Sequence, residues 1–115
     1  MLLTREAILG AQDLKTEDVD VPEWGGTVRV RVLTGMERDG FGSALLGPDG
    51  KPSMRDYQVK LLARCLVGED GQPLFATDEI ALLGNKSAPA LQRVYDVAER
   101  LNSMTQASAE AAEKN

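Results

Sequence analysis

The chain has 115 residues, enough for one compact domain, and is 43% hydrophobic but only 4% aromatic, so its core must be built mainly from Val, Leu, Ile and Ala. A net charge of -5 and a pI near 4.7 leave no basic excess to meet phosphates, which argues against nucleic acid as the main partner. A single cysteine, Cys65, excludes an internal disulfide, and the lack of histidine removes the commonest general base and metal ligand.

Thr4 to Leu9 reads as a short helix, with Thr4 placed to cap it, Glu6 in its first turn, Gly10 to end it, and Ile8 and Leu9 as its anchors. Met1-Leu2-Leu3 is too short for the apolar region of a signal peptide. No apolar run approaches the roughly 20 residues of a membrane span, so the expected compartment is the cytoplasm. Asp13 to Asp18 is a polar connection.

Val19 to Asp39 organises the rest. Val19 and Val21, then Val28, Val30 and Val32, alternate on either side of Gly25-Gly26, which predicts a β-hairpin with a buried valine face. Asp18, Asp20, Arg29 and Arg31 then share the exposed face with opposite signs across the pair. A two-residue turn at Gly25-Gly26 pairs Val21 with Val30 but sets Pro22 at a hydrogen-bonded position; a loop from Glu23 to Gly26 pairs Val21 with Val28 and is preferred. Both keep the valines on one face, because they differ by an even shift. Trp24, the only tryptophan, falls at the tip, either as a contact or folded back over the hairpin.

Thr34 and Glu37 have capping-box spacing for a helix to about Leu46, with Met36, Phe41 and Leu45 near one face and Gly40 and Gly42 weakening it. Gly47 to Pro52 is a loop. Ser53 caps a helix over Met54–Val67, on which Tyr57, Leu61, Leu62, Cys65 and Leu66 recur at helical spacing. Gly68 to Pro73 is a turn, and Leu74-Phe75 is either a short edge strand or a core plug. Thr77 starts a short helix that Gly84 ends. Ser87 caps a long last helix with Leu91, Val94, Tyr95, Ala98 and Leu101 inward and Gln92, Arg93, Asp96, Glu99 and Arg100 in water. The predicted fold class is α+β: a small antiparallel β-hairpin packed against a mainly helical domain of about four to five helices. That domain spans residues 1–104, and 105–115 form a flexible or marginally helical tail without an apolar stripe.

Nothing in the chain carries a catalytic pattern. One cysteine without histidine cannot supply a zinc set, and Asp49-Gly50 and Glu69-Asp70-Gly71 lack the alternating acids and closing glutamate of an EF-hand, so both read as turns. Gly84-Asn85-Lys86-Ser87 lacks the upstream glycine of a P-loop and reads as a helix cap. Cys65 has no base to activate it and reads as a buried thiol. No catalytic, cofactor or metal site is expected, and the chain reads as a binding module. Trp24, Arg29, Arg31, Met36 and Phe41 are the candidate partner-binding residues.

The stretches VPEWGGTVRVRVLTGMERD, MRDYQVKLLARCLVGEDGQPLF and LLGNKSAPALQRVYDVAERLN resemble the tail assembly chaperones of long-tailed bacteriophages with non-contractile tails. The resemblance runs from about Leu3 to Leu101 and is strongest at Glu23-Trp24-Gly25-Gly26, at Glu69-Asp70-Gly71 before Leu74-Phe75, and at Leu83 to Ser87. It implies a protein of the host cell cytoplasm, absent from the finished virion. Such a protein binds the tape measure protein, holds it soluble, delivers it to the tail tube protein, and self-associates along it. It also implies a longer product made by ribosomal frameshifting. Glu113-Lys114-Asn115 can be encoded GAA AAA AAC, which contains the slippery string A AAA AAC. The alternative is a structural tail or neck protein retained in the virion.

Overall fold

The computed structural model describes residues 1–103. Within them the chain forms five α-helices and a three-stranded antiparallel sheet of order β1-β2-β3, an α+β fold with the hairpin packed on helices. The expected tail over 105–115 and its boundary at 104 lie outside the described residues.

The sheet is built around the valine hairpin. β1 (Thr16–Val21) pairs with β2 (Gly26–Arg31), with Val19 opposite Val28 and Val21 opposite Gly26. Neither expected register forms. Pro22–Trp24 make a 3₁₀ turn, for which the fixed φ of Pro22 is already suited, and Gly25 closes it at φ +75°. The loop is therefore Pro22–Gly25, and Gly26 belongs to the strand. The difference is again an even shift, so the faces survive: Val19, Val21 and Val30 are buried, and Val28 and Val32 half-buried.

The third strand comes from an unexpected place. α3 (Tyr57–Cys65) ends two residues early and passes directly into β3 (Leu66–Val67), which pairs with Arg29 and Val30 of β2. Leu74-Phe75 forms no strand: the chain doubles back at Gly68–Gln72, Leu74 N–H donates to the Leu66 carbonyl, and Phe75 packs against the core. Ser53 does not cap α3, whose N-cap is Asp56 at φ 57°; the Ser53 hydroxyl instead accepts from Arg55 N–H.

α2 (Gly35–Ala44) starts with the expected capping box. Thr34 Oγ1 accepts from Glu37 N–H at 3.1 Å, and Glu37 Oε1 accepts from Thr34 N–H at 2.9 Å. Of its expected apolar face, Phe41 is buried and Leu45 half-buried, but Met36 faces solvent. α4 (Ile80–Gly84) is shorter than expected and starts without a side-chain cap. α5 (Ala88–Leu101) is capped by Ser87, whose hydroxyl accepts from Ala90 N–H, and it buries Ala90, Val94, Tyr95 and Ala98. It covers the core face of β1 and β2 and packs on α3. Two residues expected in water on α5 reach the hairpin: Arg93 pairs with Glu23, and Arg100 with Glu17 at 2.7 Å.

Aromatic rings form the centre of the core. Phe41 meets Tyr57 edge-on at 5.2 Å, and Tyr57 meets Tyr95 at 6.2 Å, so α2, α3 and α5 are joined by one file of rings. Beside it Asn102, just past α5, is buried. Its Oδ1 accepts from Leu33 N–H at 2.8 Å, and its Nδ2 donates to the Ala98 carbonyl at 2.9 Å and toward Cys65 Sγ at 3.6 Å.

α1 (Arg5–Gly10) stands apart. Thr4 caps it as expected, but Ile8 and Leu9 are not anchors: they are 60% and 67% exposed, and the helix buries no residue. A helix of six residues offers too narrow a stripe to seat itself on the sheet, whose core face α5 already fills.

Candidate functional site

Beside the hairpin tip lies an apolar groove with two exposed leucines, Leu74 and Leu82, on its walls. Val28 is the first β2 valine after the turn, and the helical cover ends beside it at the five-residue α4. That helix can bury only one of its adjacent leucines: Leu83 points inward, while Leu82 stays 60% exposed. The turn after β3 lays Leu74 and Phe75 alongside. The result is a groove of about 340 Å³, walled by Trp24, Val28, Leu66, Leu74, Phe75, Leu82 and Leu83, with Lys86 at its rim. Trp24 is folded back as one wall and is half-buried rather than a free tip. An apolar groove with one cation at its edge recognises aliphatic side chains by contact area and offers no polar chemistry.

The other candidate residues do not converge on this groove. Arg29 lies on the opposite, polar face of the sheet. Its Nε and Nη2 donate to Asp18 Oδ1 and Oδ2 at 2.8 and 3.1 Å, a bidentate pair between residues directly opposed in register. That hydrogen bonding holds the Asp18 carboxyl below its usual range and raises the guanidinium. Arg31 is not exposed and does not pair with Asp18 or Asp20. It stands opposite Thr16, is only 11% exposed at its side chain, and donates to Glu37 Oε1 at 2.5 Å and to the Gly71 carbonyl at 3.0 Å. Its reason is positional: as the last residue of β2 it lies between the start of α2 and the turn after β3. Met36 is 87% exposed on the first turn of α2, and Phe41 is buried in the ring file beneath the Arg64 guanidinium.

The acidic turns are turns. Asp49 Oδ1 and Asp70 Oδ1 each accept from the backbone N–H two residues on, and Gly50 and Gly71 take φ +78° and +80°. Among the described residues no three His, Cys, Asp or Glu side chains are placed to hold a metal ion. Burial pushes the Cys65 thiol up to about 12, which keeps it protonated and inert. Among the same residues no helix is long and apolar enough to cross a membrane.

Sequence reasoning singled out Trp24, which lines this groove, but not Leu74, Phe75, Leu82 or Lys86, which line it too. The available signal was the pair Leu82-Leu83: in so short a helix, adjacent leucines cannot both face one core.

A small α+β domain with an exposed apolar groove offers surface for contact and little polar chemistry. The sequence pattern of the phage tail assembly chaperones matches residues 4–115, and the chain belongs to that family. The solved structure of the bacteriophage HK97 tail assembly chaperone is similar in fold, with a TM-score of 0.59 and 22% identity over 88% of this chain and 95% of that one. Comparison with curated proteins finds no match.

Proposed function

We propose that this chain binds the tape measure protein of its phage, keeps it soluble, and promotes assembly of the tail tube around it in the host cytoplasm. The observation that carries the reading is family membership across residues 4–115. Its physical support is an acidic chain that leaves aliphatic surface uncovered at the groove and on α1. Several copies coat one long partner and associate with each other through a surface that includes the Trp24 hairpin tip. A longer form, made by slippage at the codons for Glu113-Lys114-Asn115, recruits the tail tube protein; those residues lie outside the described structure. The chaperone leaves before the virion is complete.

Co-expression is the direct test. The tape measure protein should stay soluble and co-purify with this chain, and the complex should survive moderate salt because the contact is apolar. An insoluble tape measure beside a folded, soluble chaperone removes the proposal. Mass spectrometry of purified virions should lack this chain; its presence at structural stoichiometry makes it a tail or neck component instead. The coding sequence tests the long form: without a slippery run at Lys114 and Asn115, or with a -1 frame that closes within a few codons, slippage at this point is ruled out.

A further inference from the structure

We propose that the N-terminal arm, residues 1–14, of one copy docks in the apolar groove beside Trp24 of a second copy. The inference rests on the self-association reading and names its interface. Two surfaces that are unpartnered among the described residues carry it. Leu2, Leu3, Ile8 and Leu9 are each at least 60% exposed, although Thr4 caps a formed helix between them. Leu3 and Ile8 hold the positions of a hydrophobic staple around that cap. A six-residue helix is marginal alone in water, so this arm has the conformation of a docked segment without a surface to dock on. The groove is the complementary gap: it is apolar, its rim residues Leu74 and Leu82 are 55% and 60% exposed, and Lys86 stands ready for Glu6 of the arm.

In this structure the arm does not occupy its own groove, since its leucines stay exposed. Lys15 is fixed, because its carbonyl accepts from Val32 N–H at 2.9 Å. The core face of β1 and β2, which separates that anchor from the groove at Val28 and Leu66, is covered by α5. The groove of a neighbouring copy can meet the arm without crossing that helix. An arm-into-groove contact is heterologous, so it links copies head to tail.

Complementation tests it on the isolated full chain, so that its failure leaves tape measure binding untouched. An arm-blocked variant, Ile8→Asp with Leu9→Asp, keeps a groove; a groove-blocked variant, Leu74→Asp with Leu82→Asp, keeps an arm. All four positions are exposed, so the fold is expected to persist, with circular dichroism as the check. In sedimentation, the wild type should grow in mass with concentration, and each variant alone should stay monomeric. Their equimolar mixture should reach the mass of two chains and stop there. A labelled peptide of residues 1–14 should in addition shrink the wild-type assemblies. A mixture that stays monomeric, a variant that associates like the wild type, or a peptide without effect overturns the proposal.

Discussion

Asn102 shows how much a single buried polar residue can hold. It satisfies the backbone N–H of Leu33, where the chain leaves the sheet, and it closes the end of α5 through Ala98. Asn102→Ala strands the Leu33 donor in the core and should destabilise the fold by about 1–3 kcal/mol in urea unfolding. A change below ~0.5 kcal/mol would mean that water reaches Leu33. Its neighbour Cys65 gives a chemical readout. With the thiol raised from 9.0 to about 12 by burial, iodoacetamide should label the denatured chain at pH 8 and spare the native one. The linkage has one sign: the fold favours the neutral thiol, so this contribution is full below about pH 9 and is lost as the pH rises through about 12. Native labelling as fast as that of a free thiol would contradict the burial.

At the scale of elements, the start of α2 is a junction. Glu37 closes the capping box on Thr34 and receives Arg31, which also donates to the Gly71 carbonyl, so β2, α2 and the turn after β3 are joined through one ion pair. Glu37→Ala should therefore destabilise more than Thr34→Ala, which removes one cap bond for about 1 kcal/mol. Equal losses in the two variants would show that the ion pair adds nothing to the cap. The capping box was legible because its two partners are three residues apart, and the last helix because fourteen residues repeat one apolar stripe. The hairpin register was not, since Pro22 and Gly25 together form a 3₁₀ turn that neither residue specifies alone. Nor was β3: Leu66 and Val67 continue the helical stripe of α3, and only the unpaired edge of β2 draws them into the sheet.

For the whole molecule, the fold class followed from periodicity, but the groove did not, because it is made of residues from four separate segments whose meeting depends on the helices stopping short. The sheet itself carries a further consequence. β1 is an outer strand, and its six residues include Glu17, Asp18 and Asp20, so two copies cannot lay their outer strands side by side without opposing like charges. This charge acts as a colloidal guard. Glu17 is paired with Arg100 and Asp18 with Arg29, so the guard rests on Asp20, whose carboxylate accepts a hydroxyl hydrogen bond from Thr27. Asp20→Val should let outer strands pair and turn a concentrated solution turbid with a gain of β signal, while Asp39→Val, equal in charge but remote on α2, should not. If both turn turbid, net charge alone governs the precipitate; if only Asp20→Val does, a carboxylate on the outer strand is what keeps neighbouring molecules from merging their sheets.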